Sequence, residues 1–359
     1  MKKLKVGVIF GGRSGEHEVS LVSAESIMRA LDKKKYDIIP IGITKEGEWI
    51  VDNFQFPISN FQLLEKFKKG KIKNGSRLPP KEILKVDVVF PAVHGTYAED
   101  GTLQGLLEML NIPYVGAGVL GSAVGMDKVV QKQLFEQLGL PVVYYAAFKK
   151  NQNPSNIVRH IEKKTKYPVF VKPACLGSSV GISKAKNKKE LISAIKLAFK
   201  YDNKIIIEQA VLNTREIECA VLGNDQPAAS VPGEIISSNE FYDYNAKYVD
   251  GQSKAVIPAK LPSYLVKMVQ EQAIEACMAI EGAGMARVDF LLDDKSKKLF
   301  INEVNTIPGF TSISMYPKLW QATGLSYGKL LDKLIALALE RHKEKQKLLF
   351  TYQPKKKWY

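Results

Sequence analysis

The chain has 359 residues, 45% of them hydrophobic and 25% charged, which is typical of a soluble globular protein with roughly two to three domains. No segment approaches the about 18–20 consecutive apolar residues that a membrane-spanning helix requires, so we expect no membrane association. The formal net charge of +15 would suit nucleic-acid binding, but the lysines are scattered and no RNA- or DNA-binding signature accompanies them. A lysine-rich solvated surface is therefore favoured, and its positive field would also suit an anionic small substrate.

The cysteines and the first apolar run indicate a cytoplasmic protein. Cys175, Cys219 and Cys277 are odd in number and far apart, which argues against a disulfide framework or a zinc site and favours a reducing compartment. The apolar run at residues 6–10 is too short for the core of a signal peptide and leads directly into a glycine turn. We therefore interpret it as a buried strand.

The first third of the chain alternates strands and helices in the pattern of an open parallel sheet. The predicted elements are strands at 4–10, 36–44 and 86–93 and helices at 20–32 and 102–110. Residues 52–82 are polar and lysine-rich around a helix-like patch. We expect them to form a surface insertion and assign no chemistry to them.

The remainder divides into two further α/β units. An amphipathic pattern predicts one helix over 125–139, ended by Gly139 and a proline. Strands and helices then alternate to about residue 208, and long strands with two long helices follow. The predicted domains are residues 1–120, 121–208 and 209–359.

Two strand-to-helix loops in the first third carry candidate binding residues. The segment GGRSGEHEVS (11–20) brings glycines to a helix start, which suits a negative ligand, but its spacing matches neither GxGxxG nor a P-loop. Glu16 within it is either functional or simply favourable beside the helix dipole. The segment HGTYAEDGTLQG (94–105) begins with His94 at the edge where open α/β sheets bind ligands, and a structural histidine is the alternative.

The segment YPVFVKPACLGSSVGISK (167–184) points to phosphate. It places Lys172 at the end of an apolar strand, where an ammonium group is costly to desolvate unless it meets an anion. The glycines and serines that follow can fold their amides and hydroxyls over phosphate groups. A flexible surface hairpin is the alternative.

Two strands near the end of the chain predict a cation site. ARVDFLL (286–292) and LFINEVN (299–305) are separated by a turn-like tract and form a predicted hairpin. Alternation places Arg287 with Asp289, and Glu303 with Asn305, on single faces. If these faces coincide, two carboxylates and an amide oxygen converge, a donor set that suits magnesium. A salt bridge from Arg287 to Asp289 or Glu303 is the alternative.

In this order, these motifs resemble the D-alanine–D-alanine ligase family of ATP-grasp enzymes over essentially the whole chain. The resemblance rests on GGRSGEHEVS, HGTYAEDGTLQG, MDK (126–128), VKPACLGSSVG (171–181), EFYDYNAKY (240–248), RVDF (287–290) and NEVNTIPGFTSIS (302–314). It implies an α/β, ATP-grasp fold with an N-terminal open parallel α/β domain and central and C-terminal α+β ATP-grasp domains.

The resemblance also implies roles for individual residues. ATP phosphates would be gripped by two lysines and covered by the glycine-rich loop. Glu208 and the backbone of residues 209–211 would bind the base, Glu216 would bind the ribose, and the hairpin would hold two Mg²⁺ ions, with Mn²⁺ as an alternative. The implied ATP and metal residues are Lys128, Lys172, Ser178, Ser179, Val180, Gly181, Glu208, Gln209, Ala210, Val211, Glu216, Asp289, Glu303 and Asn305.

A second set of residues is implied for the amino-acid substrates. Glu16 would anchor the ammonium group of the first D-alanine, Arg287 and the Gly309 amide would stabilise the oxyanion, and Tyr248 with Ser178 and Glu16 would orient a mobile loop at about 236–252. The candidates for substrate binding and catalysis are Glu16, His94, Ser178, Lys247, Tyr248, Arg287, Gly309, Ser314 and Met315.

The implied activity is ATP-dependent ligation of two D-alanine molecules through an acyl phosphate, for bacterial peptidoglycan precursors, by a cytoplasmic homodimer that binds neither nucleic acid nor membrane. Ala98 and Cys175 depart from residues common in the family and lie outside the proposed ligands. Tyr248 favours the dipeptide product, since relatives that make D-alanine–D-lactate typically lack it. A D-lactate ligase or another carboxylate–amine ligase is the alternative, and a basic RNA- or membrane-associated protein on the same scaffold is the more distant one.

Overall fold

A mostly parallel sheet forms the N-terminal part of the chain in a computed structural model that describes residues 2–51, 62–70, 75–236 and 254–352. The strands are β1 (Leu4–Gly11), β2 (Tyr36–Ile43), β3 (Trp49–Ile50) and β4 (Val88–Pro91). In the described residues their order is β3-β2-β1-β4, with β1 parallel to β2 and β4, and β3 antiparallel to β2. The helices are α1 (His17–Ala30), α2 (Gln62–Lys68), α3 (Thr102–Met109) and α4 (Val119–Met126). The predicted open parallel sheet is confirmed.

Helix α2 corrects the expectation that residues 52–82 are only a surface insertion. Leu63, Leu64 and Phe67 are buried in the same core as β1 and α1. The Phe67 ring lies so close to Gly42 of β2 that a Cβ there would be 2.2 Å from the ring. α2 therefore covers the sheet, and Gly42 makes room for it. Residues 52–61 and 71–74 lie outside the described residues.

The central part is an antiparallel sheet covered by two helices. Its strands are β5 (Tyr145–Lys149), β6 (Val169–Pro173), β7 (Ser183–Ala185) and β8 (Lys204–Gln209), in the order β5-β8-β6-β7. Helices α6 (Pro154–Lys164) and α7 (Lys188–Tyr201) bury their apolar faces against it.

The helix predicted over 125–139 is wrong in its start. The chain forms α4, which ends at Met126, and a separate helix α5 (Lys128–Gln137). Asp127 between them has extended backbone angles, and its side chain accepts hydrogen bonds from the amides of Val129 (3.0 Å) and Val130 (3.3 Å). This capping starts a new helix and turns Lys128 into its first residue.

The C-terminal part is a larger antiparallel sheet. Its strands are β9 (Thr214–Gly223), β10 (Ala228–Ala229), β11 (Gly233–Ile236), β12 (Lys254–Val256), β13 (Gly284–Asp293) and β14 (Leu299–Asn305). In the described residues the order is β12-β11-β9-β13-β14, with β10 paired to β9, so β14 lies at an edge. The helices are α8 (Ser263–Ala279), α9 (Met315–Ala322) and α10 (Tyr327–Lys345). None of the described helices is long and apolar enough to cross a membrane.

Two helices join these parts. Leu330, Leu331 and Leu334 of α10 belong to one buried cluster with β1 of the N-terminal sheet and β9 of the C-terminal sheet. Phe135 of α5 lies in the core beneath the C-terminal sheet. The predicted domain boundaries stay predictions, but α5 is packed against the third predicted domain although it falls within the second.

We expect Phe67→Ala to lower the free energy of unfolding by about 3–5 kcal/mol, because it leaves a cavity between α2 and the N-terminal sheet. Urea unfolding of the full chain measures this, with the exposed Lys69→Ala on the same segment as the control. Equal stabilities of the two variants would contradict the packing role of α2.

Candidate active site

The central and C-terminal sheets face each other across a cleft. Its wall comes from β6 and β8 on one side, from β9, β13 and β14 on the other, and from the glycine-serine loop. Predicted ATP and metal residues that line it are Lys128, Lys172, Ser178, Ser179, Glu208, Gln209, Ala210, Val211, Glu216, Asp289 and Glu303. The fold therefore brings together side chains that are far apart in sequence.

Lys128 and Lys172 are both paired with carboxylates. The Nζ of Lys172 on β6 lies 2.6 Å from Oε2 of Glu208 and donates to Oδ1 of Asn302 at 3.2 Å. The Nζ of Lys128, at the start of α5, lies 3.0 Å from Oε2 of Glu303 and donates to the carbonyl of Leu176 at 2.8 Å. The sequence predicts that Lys172 meets an anion. In this structure that anion is the carboxylate of Glu208.

A third lysine, Lys132, was missed by the sequence analysis. It is 1% exposed, and its Nζ lies 3.0 Å from Oε1 of Glu208, on the opposite side from Lys172. Burial alone would raise the pKa of Glu208, but Lys132 and Lys172 outweigh it and lower the pKa to about 2. The available signal was the four-residue spacing from Lys128, which places both side chains on one face of a helix.

In the hairpin of β13 and β14 the two predicted faces coincide. Arg287 lies opposite Asn305 and Asp289 lies opposite Glu303. Nε and Nη2 of Arg287 donate to the two oxygens of Asp289, each at 2.7 Å, and Nδ2 of Asn305 donates to Asp289 at 3.0 Å. The salt bridge considered as the alternative is therefore formed, between Arg287 and Asp289.

Glu218 on β9 is a second carboxylate beside Arg287, and the sequence analysis did not single it out. Its Oε2 lies 3.0 Å from Nε of Arg287, and it lies opposite Asp289 in the sheet. Burial lowers the pKa of Arg287, but Asp289 and Glu218 more than compensate and hold that pKa well above its ordinary value. Arg287 therefore keeps its charge in a half-buried position.

The donor set at the hairpin fits magnesium. No group of three or more His, Cys, Asp or Glu side chains within the described ranges has a metal-binding arrangement. The predicted set instead has two carboxylates, Asp289 and Glu303, with the amide of Asn305. Mg²⁺ is commonly held by one or two carboxylates together with substrate phosphates and water, so two carboxylates beside phosphate-binding lysines match its chemistry.

The glycine-serine loop has strained backbone. Ser178 and Ser179 have φ values of 48° and 57°, which non-glycine residues rarely adopt. Gly181 has φ 73°, and a Cβ there would lie 2.7 Å from the Tyr201 ring. Val180 and Gly181 continue the loop next to the cleft-lining serines. The loop thus holds strained backbone, a feature that clusters at functional sites.

Glu16 connects the N-terminal part to this loop. The Ser178 hydroxyl donates to Oε1 of Glu16. The Glu16 side chain also lies close to two glycines. A Cβ at Gly95 would lie 2.7 Å from Oε2 of Glu16, and a Cβ at Gly177 would lie 2.9 Å from the same oxygen. Its side chain makes no capping hydrogen bond with α1. Its contacts therefore point across to the loop.

His94 holds the segment that contains Gly309. It is 4% exposed, with Nε2 at 3.1 Å from Oγ of Ser23 and Nδ1 at 3.2 Å from the carbonyl of Ile307. Burial lowers the pKa of His94, but the neighbouring Glu99 outweighs it, so the pKa is raised. The amide of Phe310 donates to the same Ser23 hydroxyl at 3.3 Å.

Ser314 holds the other end of the segment that contains Gly309. Its Oγ accepts a hydrogen bond from the Thr311 amide at 2.9 Å and would lie 2.7 Å from a Cβ at Gly309. Met315, the next residue, begins α9. Gly309, Ser314 and Met315 are therefore neighbours, as the resemblance implies. Lys247 and Tyr248 lie outside the described residues.

Gln131 fixes the strand that carries the predicted metal ligands, and the sequence analysis missed it. Its Oε1 accepts from the Val304 amide at 2.8 Å, and its Nε2 donates to the Val304 carbonyl at 3.2 Å. Val304 lies between Glu303 and Asn305 on the edge strand β14. The side-chain amide of Gln131 thus takes the place of a neighbouring strand.

Two antiparallel sheets that enclose a cleft, with lysines and a glycine-serine loop on one and carboxylates on the other, define an ATP-grasp enzyme. The family profiles described as "D-ala D-ala ligase N-terminus" and "D-ala D-ala ligase C-terminus" match residues 5–117 and 134–336. The chain belongs to the D-alanine–D-alanine ligase family, a family of ligases.

Curated relatives and solved structures agree with this assignment. The D-alanine–D-alanine ligases of Natranaerobius thermophilus and Caldicellulosiruptor bescii are each 50% identical, over 97% and 98% of this chain and 98% and 99% of their own. The structure of the D-alanine–D-alanine ligase from Coxiella burnetii has a TM-score of 0.83 at 38% identity, covering 97% of both chains. VanG D-Ala:D-Ser ligase from Enterococcus faecalis has a TM-score of 0.82 at 39% identity, covering 94% of this chain and 100% of its own.

We expect Gln131→Leu to lower the free energy of unfolding by about 2–3 kcal/mol, because it leaves the buried amide and carbonyl of Val304 without their partner. The exposed Gln133→Leu on the same helix is the control and should stay within about 0.5 kcal/mol of the unsubstituted chain. Denaturant unfolding measures both. A Gln131→Leu variant as stable as the control would show that Val304 is not held in this way.

The lowered pKa of Glu208 predicts a pH dependence of stability. Its ionised form stabilises the fold at any pH above the unfolded-state pKa of about 4.5, and this contribution of about 3 kcal/mol is lost as the pH falls towards 2. The stability difference between the unsubstituted chain and Glu208→Gln should therefore be constant from pH 7 to 5 and shrink below pH 4.5. Urea unfolding at a series of pH values measures it, and a difference that grows on acidification would contradict the pairing.

Proposed function

We propose that the chain joins two molecules of D-alanine to D-alanyl-D-alanine, with conversion of ATP to ADP and phosphate, for peptidoglycan precursor synthesis. The observation that carries the proposal is the cleft itself: Lys128 and Lys172 lie across it from Asp289 and Glu303 in a chain of the D-alanine–D-alanine ligase family. Positively charged groups for phosphates and carboxylates for a divalent ion are thus present in one place.

The ATP end of the cleft is assigned as follows. Lys128 and Lys172 bind the phosphates, and the amides and hydroxyls of Ser178 and Ser179 cover them. Glu208, whose carboxylate lies between two lysines, and the backbone of 209–211 are assigned to the adenine, with Glu216 on β9 for the ribose. This assignment keeps the base at the end of β8 and the phosphates beside the lysines.

A divalent ion would be held by Asp289, Glu303 and Asn305, where it would neutralise charge on the ATP phosphates. We propose magnesium, with two ions as in the resemblance. Arg287 pairs with Asp289 and Lys128 pairs with Glu303, so the two facing carboxylates do not repel each other unopposed.

The amino-acid end follows the same geometry. ATP transfers its γ-phosphoryl group to the carboxylate of the first D-alanine, and the amine of the second attacks the resulting acyl phosphate, which releases phosphate. Glu16 anchors the first ammonium group. Arg287 has five N–H donors, two of which Asp289 accepts, and we assign the guanidinium and the Gly309 amide to the developing oxyanion.

The second D-alanine is assigned to the segment before α9. Ser314 and the Met315 amide, with Lys247, would bind its carboxylate, and Tyr248 would act with Ser178 and Glu16 to close the site. Water must be excluded, because an acyl phosphate would otherwise hydrolyse. A cytoplasmic location, where ATP is available, and a homodimeric assembly complete the proposal.

The identity of the second substrate is the open choice within this family. A D-alanine–D-alanine ligase and a D-Ala:D-Ser ligase have almost the same structural similarity to the chain, with TM-scores of 0.83 and 0.82. The curated relatives named D-alanine–D-alanine ligase, at 50% identity over nearly the full length, favour D-alanine.

We expect the purified chain to release phosphate from magnesium-ATP with D-alanine alone and to form D-alanyl-D-alanine, identified by chromatography. D-serine, D-lactate and L-alanine serve as alternative second substrates at pH 6 and pH 8.

Arg287→Met should lower kcat by about 10²–10³-fold through loss of charge stabilisation, while the exposed Arg159→Met should not. A product that joins D-alanine to D-serine, D-lactate or L-alanine would assign the chain to a ligase with that second substrate. The absence of D-alanine-dependent phosphate release would refute the proposal.

A further inference from the structure

The side chain of Asp202, between α7 and β8, contacts the entry of the glycine-serine loop, residues 174–176. Its Oδ2 accepts a hydrogen bond from the amide of Cys175 at 2.8 Å, and its Oδ1 accepts from the amide of Lys204 at 3.0 Å. Asp202 is half-buried and does not line the cleft. Both of its carboxylate oxygens are therefore used by backbone amides, one in the loop entry and one at the start of β8.

Other contacts tie the same loop to α5, β8 and the end of α7. The amide of Ala174 donates to the carbonyl of Lys204 at 3.0 Å, and the carbonyl of Ala174 accepts from the amide of Lys128 at 3.0 Å. Tyr201, the last residue of α7, lies against the far end of the loop, since a Cβ at Gly181 would be 2.7 Å from its ring. The corner between α7 and β8 therefore contacts both ends of the loop.

The loop entry leads directly to groups that we assign to the ATP phosphates. The carbonyl of Leu176, one residue after Cys175, accepts a hydrogen bond from Nζ of Lys128 at 2.8 Å. Leu176 and residues 177–179 line the cleft together with Lys128. The two serines of the loop have strained backbone angles, which persist only where surrounding contacts fix them. A shift of the loop entry would therefore displace both the carbonyl that holds Lys128 and the amides that cover the phosphates.

We propose that Asp202 is a positioning residue for ATP binding: its carboxylate holds the entry of the glycine-serine loop against the start of β8, so that the loop and Lys128 are placed to bind the ATP phosphates. The inference rests on the proposed ATP site and adds to it a residue outside the cleft wall. Asp202 acts through the amide of Cys175 and touches neither ATP nor the metal.

A purely local role for Asp202 makes a different prediction. Its hydrogen bond to the amide of Lys204, two residues further on, is an Asx turn of the kind that aspartates commonly form. Asp32, an exposed residue between α1 and β2, forms the same turn with the amide of Lys34 at 2.8 Å. Asp32→Ala therefore removes the same kind of turn in the N-terminal part of the chain and is the matched control.

The experiment is calorimetric titration of the full chain with magnesium-ATP in the absence of D-alanine. Asp202→Ala should weaken ATP binding about tenfold, because the loop entry loses its contact and the phosphate-binding groups are misplaced. Asp202→Asn offers one acceptor oxygen to two amides, so it should weaken binding by about three- to fivefold. Asp32→Ala should leave the ATP affinity unchanged. Amide hydrogen exchange without nucleotide reports on the loop itself, and the peptide of residues 173–182 should exchange faster in Asp202→Ala than in Asp32→Ala.

Several outcomes would overturn the proposal. Unchanged ATP affinity in Asp202→Ala would do so even if the loop exchanges faster, as would an equal loss of affinity in Asp32→Ala. Weaker ATP binding without faster exchange of residues 173–182 would refute action through the loop. If Asp202→Ala does not fold, Asp202→Asn takes its place, and an ATP affinity equal to that of the unsubstituted chain refutes the proposal. Failure of the unsubstituted chain to bind magnesium-ATP would instead refute the proposed function, and this inference with it.

Discussion

The requirement that a buried charge be paired organises the whole cleft. Three cations in or beside the cleft lie against carboxylates of the protein: Lys172 against Glu208, Lys128 against Glu303, and Arg287 against Asp289. In the low-dielectric interior an isolated charge would be costly, so these pairs are what allow the groups to be buried at all. The same groups would then exchange protein partners for phosphates and a divalent ion.

The geometry of these pairs depends on backbone regularity. Antiparallel pairing of β13 with β14 sets Asp289 opposite Glu303, and the helical spacing of α5 sets Lys128 and Lys132 on one face. Asp127 matters for the same reason, because its cap ends α4 and fixes where α5 starts. A helix continuous from residue 125 would lack this fixed start, and the direction of the Lys128 side chain would not be defined by a cap.

How much could be predicted from sequence follows from the kind of signal each residue has. Lys172, Glu303 and Asp289 could be found because they interrupt apolar strands with charges that need partners. Lys132 and Gln131 carry weaker signals, since polar residues on an amphipathic helix are ordinarily solvent-exposed. The spacing from Lys128 is the one sign for Lys132, and only the position of β14 and β8 shows that this face is buried. Phe67 was missed because a lysine-rich context masks a three-residue apolar face.

The amino-acid end of the site is held from the N-terminal part by two separate connections. Glu16 accepts from Ser178 in the glycine-serine loop, and His94 with Ser23 bonds the backbone of Ile307 and Phe310 on either side of Gly309. Both partners, Glu16 and His94, follow strands of the parallel sheet, β1 and β4. The edge of the parallel sheet therefore contacts both the glycine-serine loop and the segment around Gly309. Both segments therefore combine contacts from their own sheets, such as Lys128 with Leu176 and Thr311 with Ser314, with contacts from the N-terminal part, so their backbones are fixed from two sides.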